Sequence, residues 1–224
     1  MHLTIISCTP RTMKKSNTDK ITRKFAEGVE RTNSTVKIFY LAERTKWNKI
    51  RQAFYRSNHV MFAIPLFVEC VPGIMLEFLD TLQPKEYEGR VPKTKLSFLL
   101  QGGFPEASQL RCGEEYLEQL PGYLNCEYAG TLIKGNMFMV SLSHGKEREK
   151  SIHPFVGLGE QFAKDECFYK DNVSEFAKPE YFSKAILTMF TLMRPIQSLM
   201  FKKIAKSLGC KAPLRAKPYK QYVS

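Results

Sequence analysis

A chain of 224 residues is long enough for one sizeable domain, or one domain with an added arm. With 43% hydrophobic and 25% charged residues, including 16 Phe and 10 Tyr, it has enough core material to exclude disorder as its main state. The 34 Lys and Arg exceed the 22 Asp and Glu by 12, yet every acid lies at or before Glu180 and nine cations lie beyond it. The excess therefore belongs to a basic tail, and a nucleic-acid-binding body is not expected.

The elements follow in chain order. Residues 3–6 are a short apolar run that reads as a first strand. After a polar loop, Ser16 or Asn17 caps a helix through Arg31, with Ile21, Phe25, Ala26 and Val29 on one face. Residues 36–41 read as a second strand, 46–56 as a short helix, and 59–64 as a third strand stopped by Pro65. Pro72 or Gly73 opens a helix through Leu82, with Ile74, Leu76, Phe78 and Leu79 facing inward. Residues 95–100 form a fourth strand, 107–120 a helix and 127–133 a fifth strand. Such alternation predicts an α/β three-layer sandwich: a five-stranded parallel sheet with right-handed crossovers, in the flavodoxin-like order 2-1-3-4-5. Ligands of such sheets sit outside the carboxyl ends of the strands, beside strand 1.

The alternation stops near residue 140, so residues 1–140 are expected to form the sheet domain and 141–224 a helical C-terminal extension. Residues 144–150 read as a charged connection and 154–168 as a helix. From Tyr181 to Leu208, apolar residues at Phe182, Ile186, Met189, Met193, Ile196, Met200, Ile204 and Leu208 mark a helical stripe. Pro195 should kink or split it, and Gly209 should stop it. The 17 residues between Lys184 and Lys202 are interrupted by Arg194-Pro195, short of the roughly 20 apolar residues of a membrane span. The stripe is expected to pack on the body or on a second subunit, giving a homodimer. Weak association of the basic tail with an anionic membrane is the alternative.

Six scattered cysteines without a C-x-x-C argue against zinc ribbons and redox pairs. Together with an N-terminus lacking a signal-peptide pattern, they lead us to expect a cytoplasmic protein. Three loops carry the candidate chemistry. The first, residues 7–18, is rich in hydroxyls, amides and cations, with Thr9, Arg11, Lys14, Lys15, Ser16, Asn17 and Thr18 at the start of a helix, where a phosphate would be favoured. The second, residues 64–73, places Pro65, Leu66, Phe67 and Val68 just past a strand, with Cys70 read as a buried, inert thiol. The third runs Gln101-Gly102-Gly103-Phe104. Gly157-x-Gly159 lacks a third glycine and a preceding strand, so it is not a dinucleotide fingerprint.

In their order and spacing, Thr9-Pro10-Arg11, Ser16-Asn17-Thr18, Pro65-Leu66-Phe67, Pro72-Gly73, Phe78-Leu79-Asp80 and Gly102-Gly103-Phe104-Pro105-Glu106 resemble the NAD(P)H-dependent FMN oxidoreductases of the flavodoxin-like superfamily. Thr9 stands where the family usually has Ser, and Phe67 where Tyr is commoner. The resemblance implies a non-covalent FMN. Arg11, Ser16, Asn17 and Thr18, with Thr9, would surround its phosphate. Pro65, Leu66, Phe67 and Val68 would border one side of its ring, and Gln101, Gly102, Gly103 and Phe104 another. It further implies NAD(P)H as co-substrate, hydride transfer through the flavin to a small acceptor such as a quinone, and no metal or protein acid–base group in catalysis. The alternative on the same fold is an electron-transfer or membrane-surface flavoprotein without NAD(P)H activity.

Overall fold

Five apolar runs pair into one all-parallel sheet: β1 (His2–Ser7), β2 (Thr35–Tyr40), β3 (His59–Pro65), β4 (Lys95–Gln101) and β5 (Glu127–Lys134), in the expected order β2-β1-β3-β4-β5. The computed structural model describes residues 1–11, 16–88, 92–207, 209–210 and 216–217. Lys14, Lys15, Leu208, Lys211, Arg215 and Lys220 lie outside the described residues. In β1, β3 and β4 every residue after the first is buried, because strands covered on both faces must be apolar throughout. The edge strands β2 and β5 are only partly buried. Between Leu96 and Phe98 of β4, β5 carries one extra residue, since Tyr128 pairs with Leu96 but Thr131 with Phe98. Gly130 takes up this bulge at φ +90, where a Cβ would lie 2.5 Å from the carbonyl oxygen of Phe168.

The connection from β1 to β2 runs opposite to the other crossovers. Right-handedness therefore puts α1 (Asn17–Glu30) on one face and α2 (Trp47–Arg56), α3 (Gly73–Leu79) and α4 (Arg111–Tyr123) on the other. α3 ends at Leu79 rather than Leu82, and it buries Met75 and Phe78, while Leu76 is exposed. The inward register is set by Phe78, whose ring meets Trp47 edge-on at 5.5 Å. After β5 come α5 (Phe138–Leu142), α6 (Gly145–Ile152), α7 (Pro154–Asp165) and α8 (Lys170–Ala177). The expected charged connection at 144–150 is therefore helical. Its Lys, Glu and Arg are good helix formers, Ile152 buries its end, and Glu149 pairs with Lys24 at 2.7 Å. α7 stops at Asp165 because Glu166 turns left-handed (φ 57) and the Phe168 N–H bonds the Ala129 carbonyl at 2.9 Å.

α7 covers the face of α1. A Cβ on Gly28 would lie 1.9 Å from the Val156 carbonyl oxygen, and one on Gly159 2.1 Å from that of Phe25. The two helices thus cross backbone to backbone, and Gly159 serves packing. Phe25, Phe162 and Phe168 close the core beside the crossing, with ring centroids 4.6–5.8 Å apart.

The chain forms two compact units, Met1–Tyr181 and Phe182–Ser224. α6–α8 and the end of α5, which the sequence groups with the extension from residue 141, lie within the first unit. The second holds α9 (Lys184–Leu192) and α10 (Arg194–Ser207). The helical stripe is split as Pro195 requires, since proline suits a first turn and not an interior. Ser183 caps α9, accepting from the Ile186 N–H at 3.4 Å. Gly209 (φ +82) ends α10, with Cys210 N–H on the Ala205 carbonyl and Gly209 N–H on that of Lys206. Neither helix has a buried residue.

Candidate functional site

The loops after β1, β3 and β4 meet at the carboxyl end of the sheet. The first leaves β1 with the Cys8 N–H bonded to the Ala63 carbonyl at 2.8 Å. Thr9 and Ser16 are buried at its base. The Ser16 hydroxyl donates to Thr9 Oγ1 at 3.2 Å and accepts from the Asp19 N–H at 3.1 Å, which makes Ser16 the N-cap of α1. Thr9 Oγ1 also accepts from the Arg11 N–H, and the Arg11 residue is exposed. Among the described residues, the backbone N–H groups of Asn17 and Thr18 have no partner. Asp19 would set a negative charge beside them, but its carboxylate is turned to Arg23 at 2.9 Å and to the Tyr40 hydroxyl at 2.6 Å. Burial, followed by this bond to Asp19, pushes the Tyr40 phenol well above its ordinary range. Burial, and after it the charge of Arg148, lowers the Lys20 ammonium, whose Nζ reaches this helix end by donating to Asn17 Oδ1.

The side chains of Asn17 and Thr18 are engaged. Asn17 Nδ2 donates to the Met137 carbonyl and to Ser141 Oγ, both at 2.7 Å, and its Oδ1 accepts from Lys20 at 3.2 Å. Thr18 Oγ1 accepts from the buried Gln101 Nε2 at 3.1 Å. These bonds tie α1 to α5 and to the end of β4.

The second loop splits in two. Pro65 and Leu66 are buried, with the Leu66 N–H on the Gln101 carbonyl at 2.8 Å. The chain then reverses: Phe67 and Cys70 exchange both backbone bonds, at 2.9 and 3.1 Å, around Val68 (φ 47) and Glu69 (φ 65). Two consecutive left-handed residues define a primed turn, normally the place of Asn-Gly. Here a β-branched residue occupies it, which costs free energy. Phe67 and Val68 are exposed, and so is Cys70, contrary to its reading as buried, because the turn lifts it off the sheet.

In the third loop Gly102 is hemmed in by packing. A Cβ there would come 2.7 Å from Leu110 Cδ2, and its carbonyl accepts from the Met137 N–H at 3.0 Å. Gly103 faces Phe138, and Phe104 is 63% exposed. A fourth segment, missed in the sequence, thus joins the site: Asn136, left-handed at φ 63, turns the chain after β5 into α5, whose Phe138 and Leu142 are exposed at this end. Gly135-Asn136 was its turn signal.

No family model and no curated protein matches the chain. Solved structures do. An FMN-dependent NADH-azoreductase from Bacillus anthracis in complex with FMN superposes with a TM-score of 0.52 at 12% identity, over 74% of this chain and 99% of that one. An NAD(P)H:quinone oxidoreductase from Methanothermobacter marburgensis gives 0.55 at 12%, over 75% and 97%. An NADPH-quinone reductase from P. pentosaceus gives 0.51 at 14%, over 73% and 98%. At such identities the likeness is one of fold. This chain folds as a flavodoxin-like α/β sandwich, the architecture it shares with these three reductases.

Proposed function

We propose that this chain is an FMN-dependent oxidoreductase that takes hydride from NAD(P)H and passes it to a small acceptor such as a quinone. The observation that carries the reading is a juxtaposition at one end of the sheet. Among the described residues, the two N–H groups that open α1 have no partner, and the exposed apolar side chains of Phe67, Val68 and Phe104 stand on the adjoining loops. The first feature suits a phosphate, since a helix N-terminus carries partial positive charge, and Arg11 and Lys20 add to it. The second suits a flat ring, because apolar surface left in water is unfavourable by about 25 cal/mol per Å². FMN, when bound, supplies the hydride chemistry.

The protein's own residues bind, orient and shield. Ser16 and Thr9 fix the first turn of α1. Asn17 and Thr18 offer their backbone N–H groups, while their side chains hold the turn against α5 and Gln101. Phe67, Val68 and Phe104 would border the ring and exclude water from it, with Pro65, Leu66, Gly102 and Gly103 beside them.

The test is titration with FMN and with riboflavin, which lacks the phosphate, followed by fluorescence quenching. Charge-assisted bonds contribute about 1.5–3 kcal/mol each, so FMN should bind roughly ten- to a hundredfold more tightly per bond. Replacing Asn17 with Ala should weaken FMN more than riboflavin. The loaded protein should oxidise NADH or NADPH when a quinone is present. Equal affinity for both flavins would remove the phosphate site, and no affinity for either would remove the function.

A further inference from the structure

We propose that the second unit is a membrane-surface element, with α9 and α10 lying in the headgroup region of an anionic bilayer. The inference stands apart from the flavin reading. Leu187, Phe190, Leu192, Ile196, Leu199 and Phe201 are all exposed, Leu192 at 77% and Leu199 at 66%. Soluble proteins rarely leave so large an apolar surface in water. The same unit holds nine Lys and Arg and not one Asp or Glu, against 25 basic and 22 acidic residues in the first unit.

Charge decides among the surfaces that would cover the apolar side chains. A second copy of the unit would bring nine more like charges into contact. A nucleic acid would answer the cations but leave the apolar side chains wet. A bilayer rich in acidic lipid answers both, with acyl chains under the apolar face and headgroups around the lysines. The order of residues fits a shallow seat. Only Arg194 interrupts the uncharged stretch from Ala185 to Phe201, and Lys202, Lys203 and Lys206 follow it within two turns. In α10, Ile196, Leu199 and Met200 share one face at spacings of three and four; Lys203 ends that row one turn on, Lys202 and Lys206 line its side, and from this last part of the helix long stems reach up to the headgroups. Crossing is excluded for these helices. The break before Pro195 leaves 9 and 14 residues, about 14 and 21 Å at 1.5 Å per residue, against a core of about 30 Å. No described helix is long and apolar enough to cross a membrane.

The experiment is flotation of the full chain with vesicles of phosphatidylcholine alone, or of phosphatidylcholine mixed with phosphatidylserine. Binding is expected to the mixed vesicles at about 0.1 M salt and to fall at about 1 M, where the screening length shrinks from about 10 to about 3 Å. Replacing Lys202, Lys203 and Lys206 together with Gln should weaken it on the order of a hundredfold. The pair Leu192→Asp and Leu199→Asp should abolish it at either salt, with the circular dichroism of the first unit preserved. Equal binding to neutral vesicles, or none to acidic ones, overturns the proposal. So does a self-associated chain that ignores vesicles and dissociates on the two Asp substitutions, since the face would then join copies of the chain.

Discussion

Replacing Val68-Glu69 by Asn-Gly should make the protein more stable, although it deletes side chains. Both residues sit at positive φ, 47 and 65, in a turn closed by the paired backbone bonds of Phe67 and Cys70. An L-residue pays roughly 1–2 kcal/mol for the left-handed region, and a β-branched one is an outlier there. Asn tolerates the region and Gly is indifferent to it. Val68 is 86% exposed and Glu69 is exposed, so their loss forfeits little burial. Glycine widens the unfolded ensemble, a cost of about 0.5–1 kcal/mol. The balance is a gain of about 1–2 kcal/mol. Urea titration should show a raised midpoint at unchanged slope, because the surface exposed on unfolding hardly changes. Val68→Ala is the control. It removes the branch but keeps the left-handed strain, and so should recover less. A lowered midpoint for Asn-Gly, or an equal gain from Val68→Ala, would refute the argument that the backbone of this turn is strained.

Two further outcomes are expected. Gly159→Ala places a methyl group 2.1 Å from a backbone carbonyl that cannot rotate away, so α1 and α7 must part, and overpacking of this kind costs about 1–3 kcal/mol or more; an unchanged urea midpoint would mean that the two helices part there without cost. Glu180 forms a two-pronged pair with Arg111, at 3.0 and 2.6 Å, and this pairing lowers its carboxyl below the ordinary value of 4.5. A depressed carboxyl stabilises the fold above that value and ceases to as pH falls through the lowered one. Glu180→Gln should therefore be less stable than the parent at neutral pH, and the two unfolding midpoints should converge in acid. A gap that persists into acid would assign the effect to packing.

The parts of the fold that could be read in the sequence are those with local causes. Alternating apolar runs mark all five strands, Ser16-Asn17 marks the cap of α1, which Ser16 supplies, and Pro195 and Gly209 mark the break and the end of the last helices, each through chemistry contained within a few residues. The misread parts have distant or competing causes. Residues 144–150 looked like a loop because they are charged, yet their helix is held by Ile152 against the core and by Glu149 on Lys24, 125 positions away. The Phe67–Cys70 turn contains neither Gly nor Asn, so nothing local announces it. The helix crossing at Gly28 and Gly159 joins residues that no single window contains.

The same distinction runs through the candidate site. A motif names positions, but what a polar side chain does there depends on which partner reaches it first. Asn17 and Thr18 look interchangeable as phosphate donors when only residues 16–18 are in view. Folding spends the amide of Asn17 on residues 120 and 124 positions away, and the hydroxyl of Thr18 on one 83 positions away. What stays open, among the described residues, is the pair of N–H groups, which every helix start possesses. On the proposed reading, recognition at this end of the sheet would rest on backbone that the long-range bonds hold in place. Substituting those side chains should act through the position of α1, so FMN affinity should respond to Gln101 and Ser141 as well as to Asn17.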